Sequence, residues 1–317
     1  MELSFVIPCY NSQYTISNVV ERILDMRIDC AYEIILVNDG SRDDTQEVLK
    51  ALTKENDFVR MISLAKNAGQ HAAVMAGLCH TAGEVVVCLD DDGQTPIENF
   101  PDLIQKLKEG YDVVSANYIC RSQSSCFRRL GTFVNHKMAE WLIGKPKGVT
   151  VSAFFAAKRF VVDEITKYRQ PYPYLAGLIL RTTDRIGNVD MVQKARSSGQ
   201  SGYTFRKLLN LWLNGFTAFS IKPLRAAVLC GGSIALAGLV LAVVTVVQKL
   251  SGAQIQAGWS SLITVVLMIG GLILIMLGIM GEYVGRIYMC INHTPQYVVR
   301  SKAGFDSGRD HAVHEKK

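Results

Sequence analysis

Three consecutive carboxylates, Asp90, Asp91 and Asp92, stand directly after the run 84–89 (EVVVCL) and are followed by Gly93 and Gln94. Carboxylates this close repel one another, and each holds its proton more tightly until a cation neutralises the group. An extended backbone directs positions 90 and 92 to one side and 91 to the other. Asp90 and Asp92 can therefore share one divalent ion, and hard oxygen donors with an open side for phosphate suit Mg²⁺ or Mn²⁺. A solvated acidic turn would account for the triplet taken alone. Two further polar clusters argue for more: Pro8, Cys9, Tyr10 and Asn11 close one apolar run, and Asn38, Asp39, Gly40 and Ser41 close another. The second of these also reads as a tight turn with an N-cap, Asp39 and Ser41 serving the backbone.

The elements that must position these residues are legible around them. Residues 3–8, 33–38, 58–64 and 84–89 are short runs rich in β-branched side chains and bounded by turn signals. Between them lie helical stretches, Thr15 to Met26, Thr45 to Glu55 and Gln70 to His80. Strands alternating with helices predict a mostly parallel, Rossmann-like α/β sheet with helices on both faces. Ligands bind such sheets beyond the carboxyl ends of the strands, where the three polar clusters fall.

The rest of the chain has a different character. Of 317 residues 49% are hydrophobic and 20% charged, and mean hydropathy is +0.17. This composition excludes a disordered, collagen-like or small disulfide-framework protein. The apolar excess sits in the last third. Ala226 to Val247 and Leu262 to Gly281 are uncharged runs of 22 and 20 residues, each long enough to cross a bilayer core as a helix. Lys222 and Arg225 before the first run, and Arg286, Arg300 and Lys302 after the second, place both ends of this hairpin on the cytoplasmic side. Just upstream, 203–225 puts Leu208, Leu209, Trp212, Leu213, Phe216 and Phe219 on one broad helical face, as in a helix lying on the inner leaflet. An ordinary amphipathic core helix has the same pattern.

Charge is split along the chain. Residues 1–120 hold 9 Lys and Arg against 19 Asp and Glu, whereas 121–225 hold 18 against 5. A basic block just ahead of the apolar runs fits anionic headgroups or a phosphorylated ligand. The start of the chain, with Glu2 and no basic segment, does not read as a signal peptide, so the N-terminal part is expected in the cytosol. None of the eight cysteines falls at zinc-ligand or CxxC spacing, and they read as buried, reduced thiols.

The segments SFVIPCYN, LVNDGSRDDT, KNAGQHAAVMAG, LDDDGQTP and RSSGQSGYTFRKL, running into IKPLR, two apolar spans and GEYVGRIY, occur in one order. This ordered set resembles the polyprenyl-phosphate glycosyltransferases, family 2 enzymes of the GT-A fold related to dolichol-phosphate mannose synthase and the bacterial undecaprenyl-phosphate aminoarabinose and glucose transferases. The resemblance implies that Pro8, Tyr10, Asn11 and Asp39 frame the nucleoside, with Lys66, Asn67 and Gln70 along the nucleotide. Asp90 and Asp92 would form the metal-binding DXD pair holding Mg²⁺ or Mn²⁺, with Asp91 in the same cofactor site and Gln94 beside the ion. Arg128, Asn135 and Arg196 would surround the lipid phosphate, and Ser201 and Tyr203 fall in the signature S-K-Y-S-F. Asp92, Arg128 and Arg196 would carry the catalysis.

The implied layout is a GT-A domain over 1–202, an interfacial helix over 203–225, a two-span hairpin over 226–281 and a cytosolic tail over 282–317. The implied reaction is inverting transfer from a nucleoside-diphosphate sugar, with UDP expected, to undecaprenyl or another polyprenyl monophosphate at the inner membrane, for modification of a cell-envelope glycan. Membrane lipid and a homo-oligomer, up to a tetramer, complete the expected partners, with no nucleic acid among them. The departures lie at Ser12, where the pattern commonly has an acid, at Val149 and Phe155, where it has Asp and Arg, and at Gly202, where it has Lys. A glycan-extending synthase and a non-catalytic, membrane-anchored nucleotide-binding partner are the alternative readings, the first disfavoured by the lack of a Q-x-x-R-W motif.

Overall fold

Strand β1, Leu3–Cys9, is buried along its whole length and apolar or β-branched on both faces, as a strand covered by helices on two sides must be. It pairs in parallel with β2, Tyr32–Asn38, and with β4, Val85–Cys88, and β2 pairs in parallel with β3, Val59–Leu64. These are the four expected strands. The computed structural model describes residues 2–119, 146, 148–192, a subset of 228–251, 258–292 and 294–305. Four more strands extend the sheet: β5 (Val113–Tyr118), β6 (Phe155–Lys158), β7 (Ile186–Met191) and β8 (Val299–Ala303). The order is β7-β5-β6-β4-β1-β2-β3-β8. β6 runs antiparallel to both neighbours and β8 antiparallel to β3, so the expected parallel sheet is a mixed one built around a parallel centre.

Alternation along β2 divides the interior into two cores. Ile34 and Leu36 face a large cluster with Phe5, Ile7 and helix α1 (Ile16–Asp25), whose buried Ile16, Val19, Val20 and Ile23 form one helical stripe. Ile35 and Val37 face a smaller cluster with Ile62, Leu64 and helix α3 (Gln70–Leu78). α3 is buried from Ala72 to Leu78 and sits close to the sheet, since a Cβ on Gly77 would fall 2.4 Å from Val6 Cγ1. Small residues thus let the helix press onto β1 and β2, which fixes its N-terminus beside their carboxyl ends. α2 (Thr45–Glu55), α4 (Phe100–Lys108), α5 (Arg159–Thr166) and α6 (Leu175–Thr182) complete this unit.

Two compact units divide the chain, one comprising 1–203 and 294–317 and the other 204–293. In the second, the described positions between 228 and 250 are helical, and α7 runs without interruption through Trp259–Ile291, 33 residues. Its stretch Met268–Ile291 is long and apolar enough to cross a membrane, with mean hydropathy 1.8. The boundary expected at residue 281 therefore falls inside a helix. The segment expected as a tail also differs, because β8 returns the chain to the edge of the first unit's sheet. The interfacial helix expected over 203–225 lies outside the described residues.

Candidate active site

The carboxyl ends of β1, β2, β3 and β4 open on one edge of the sheet, and their exit loops are bonded to one another. Asn11 takes a left-handed conformation, φ 54°. Its N–H donates to Ser41 Oγ at 3.1 Å and its Oδ1 accepts from the Arg42 N–H at 2.9 Å. The Ser12 N–H donates to Thr45 Oγ1 at 2.8 Å. Gly40, φ 62°, meets the loop after β3 so closely that a Cβ would lie 2.6 Å from Asn67 N, which is why no larger residue fits that turn.

Asp39 is 3% exposed and organises that loop. It accepts the N–H groups of Ala68 at 2.6 Å and Gly69 at 2.9 Å, and Asn67 Nδ2 donates to its carbonyl at 3.2 Å. Burial pushes the Asp39 carboxyl up, and the two backbone donors pull it back. Lys66, Asn67 and Gln70 remain exposed along the same rim. Tyr10 is half-exposed above it, and Pro8 is buried in β1.

The triplet divides as the alternation of an extended chain requires. Asp91 Oδ2 accepts the Tyr10 N–H at 3.0 Å, tying the exit of β4 to that of β1. Asp90 Oδ1 accepts from Gln70 Nε2 at 2.7 Å, and Asp92 Oδ1 accepts the Gln94 N–H at 3.0 Å, closing the turn at Gly93. Burial first, then repulsion from Asp92 and Asp91, pushes the Asp90 carboxyl up to about 7 against the pull of Gln70. Asp91 is also raised, chiefly by burial.

These oxygens fit a divalent cation. Asp90 and Asp92 repel, and a shared ion would remove that repulsion. Among the described residues no three His, Cys, Asp or Glu side chains gather into a closed cage. A cation here would take its other donors from phosphate oxygens and water, the arrangement Mg²⁺ favours.

Sequence reasoning missed three residues at this edge. Arg22, on α1, donates to the carbonyls of Gly93 at 3.0 Å and Thr95 at 2.9 Å while pairing with Glu98, and so holds the triplet's turn in place. A lone arginine in an amphipathic helix gives no signal of that contact. His71 meets Tyr174 edge-on, ring centroids 5.6 Å apart, beside Gln70. Only adjacency to Gln70 could have marked His71, and nothing marked Tyr174. Val149 lies in the loop ahead of β6, and Phe155 is buried opposite Cys88 in the sheet. Arg128, Asn135, Arg196, Ser201, Gly202 and Tyr203 lie outside the described residues.

Comparison with known proteins adds the following. The profile of glycosyl transferase family 2 matches residues 4–166, and that of the GtrB C-terminal hairpin matches 222–287. An undecaprenyl-phosphate 4-deoxy-4-formamido-L-arabinose transferase of Proteus mirabilis is 32% identical over 308 residues, covering 96% of this chain and 94% of that protein. An uncharacterized glycosyltransferase of Bacillus subtilis, YkcC, is 30% identical, covering 98% and 96%. Among solved structures, glucosyl-3-phosphoglycerate synthase from Mycobacterium tuberculosis in complex with UDP aligns over 65% of this chain and 74% of that one, at 23% identity and a TM-score of 0.49.

Proposed function

Because the chain belongs to glycosyl transferase family 2, we propose that it moves one sugar from a nucleoside diphosphate, UDP, onto a polyprenyl monophosphate held at the cytoplasmic face of the inner membrane. The observation that carries this reading is the meeting of the three loops that follow β1, β2 and β4. Tyr10, Asn11 and Asp39 stand at one end of that meeting, and a repelling carboxylate pair stands at the other. A base and ribose at the first end and a diphosphate at the second match that polarity. The hairpin profile and the apolar helix α7 support a membrane acceptor, and the names of the relatives support a polyprenyl phosphate.

Asp90 and Asp92 would hold Mg²⁺ or Mn²⁺, which when bound stabilises the charge growing on the departing diphosphate. Gln70 orients Asp90, the Gln94 N–H orients Asp92, and Arg22 keeps their turn from relaxing. The acceptor phosphate attacks the anomeric carbon directly. Its second pKa of about 6 leaves it largely ionised at pH 7, so the carboxylate that Val149 replaces is not required as a base. Arg128 and Arg196 would clamp that phosphate by charge-assisted bonds, with Asn135, Ser201 and Tyr203 near it. The hairpin over the two apolar runs, an oligomer up to a tetramer and a role in envelope glycan modification belong to the same proposal.

The test is transfer by the full chain in lipid nanodiscs, with UDP-sugars offered with and without undecaprenyl phosphate. Lipid-linked sugar should form only with the acceptor present, and chelator or Asp92→Asn should lower the rate at least 100-fold. Product that forms equally well in excess chelator would refute the metal-assisted step. Glycan elongation without lipid phosphate would favour the synthase reading.

A further inference from the structure

A pocket of 150 Å³ opens against Asp90, walled by the start of α3, the loop ahead of β6 and the start of α6. Its polar side chains are Gln70, His71, Asp90, Ser152 and Tyr174, and the rest of the wall is Pro, Val, Leu and Ala together with Phe155. No Lys or Arg lines it among the described residues. Several of the polar groups are already engaged. Gln70 donates to Asp90 at 2.7 Å, and Ser152 Oγ donates to Phe154 O at 2.9 Å. His71 stands edge-on to Tyr174 at the pocket wall, and burial lowers its pKa, so the ring is neutral near pH 7. A neutral imidazole offers one donor and one acceptor.

Size and charge together restrict what can enter. A cavity of about 150 Å³ takes a single six-membered ring and not two. Walls that are mostly apolar, with a carboxylate and no cation, make an anionic guest costly, since its charge would be desolvated without a partner. The shared Asp90 places the pocket next to the diphosphate end of the crevice, where the transferred sugar is attached. On the donor reading given above, we infer that this pocket receives the transferred sugar and admits one uncharged monosaccharide ring, with His71 as its hydrogen-bonding partner. Phe155 and the loop ahead of β6 keep the wall free of positive charge.

The test compares UDP, UDP-glucose and UDP-glucuronate, the last two differing only in the oxidation of C6 to a carboxylate. Binding is measured by calorimetry on the full chain in nanodiscs with Mn²⁺. UDP-glucuronate should bind at least 10-fold more weakly than UDP-glucose. His71→Ala should weaken UDP-glucose about 5- to 10-fold and leave UDP unchanged, which a general loss of structure would not do. Val151→Lys, which brings a cation to the wall from a half-buried loop position, should narrow the gap between the two sugars to under about 3-fold. Equal affinity for the two sugars, or a loss of UDP and UDP-glucose in parallel on His71→Ala, would overturn the pocket assignment while leaving the donor reading intact. Failure of UDP itself to bind would overturn both.

Discussion

Asp90 is the residue whose state most depends on what else is bound. Its carboxyl sits at about 7 in the fold, against about 3.9 for an unperturbed aspartate. The native chain therefore holds a proton that the unfolded chain has released between about pH 4 and 7. Stability of the metal-free protein should fall as pH rises through that window and level off above it. A divalent cation acts in the opposite direction, because it binds the ionised pair and competes with the proton. Its affinity should rise with pH up to about 7 and then flatten. Asp90→Asn keeps the acceptor for Gln70 and removes the charge, so thermal melts of the metal-free variant should lose the pH dependence and gain on the order of 2 kcal/mol at pH 8. Melts in Mn²⁺ and UDP should show the added stabilisation of the wild-type protein disappearing in the variant. A variant that melts like the wild type at pH 8 would mean that Asp90 is not held against its neighbours' charge.

Elements were legible to the degree that burial was two-sided. β1 to β4 announce themselves because a strand covered on both faces must be β-branched throughout, and the polar residues at their ends then stand out against it. β8 could not be read in that way. Its sequence VRSKA is half solvent-facing, and Arg300 and Lys302 resemble the basic flank of a membrane span. Its partner β3 is remote in sequence, and no local pattern reports a pairing of that kind. Yet β8 covers the edge of the sheet next to the nucleotide loop: the Ala65 N–H donates to Val298 O at 2.8 Å, one residue before Lys66. Tyr297, Val299 and Phe305 pack on the Ile62 and Leu64 core, and Phe305 also lies against Arg60, 5.4 Å from ring centroid to guanidinium. Phe305→Ala should cost about 1–3 kcal/mol in a thermal melt. Removal of 294–317 should expose the β3 edge, lower stability further and weaken UDP binding through the 66–69 loop. Unchanged UDP affinity in a folded truncation would restrict β8 to protecting the edge.

At the scale of the whole molecule, β8 also constrains the membrane. The first unit's chain leaves at Tyr203 and resumes at Thr294, and β8 then joins the same sheet as β1. An odd number of crossings between those points would leave β8 on the opposite side of the bilayer from β3, to which it is paired. α7 carries one stretch able to cross, with Leu274 70% and Ile275 62% exposed in the chain by itself. Apolar side chains exposed around a helix need lipid or protein to cover them. If α7 crosses, the 22-residue run from Ala226 must cross as well, because it is the other uncharged stretch of sufficient length between the two points. Parity thus makes the second crossing a consequence of the first, independent of the basic residues that flank the spans. Single cysteines in a background cleared of native thiols provide the check. Gln256→Cys, between the two runs, should react with an impermeant maleimide added to intact cells. Ser301→Cys, exposed on β8, should react only after the membrane is opened. Labelling of both from outside would invert the catalytic unit away from cytosolic nucleotide, and protection of both would mean that α7 does not cross.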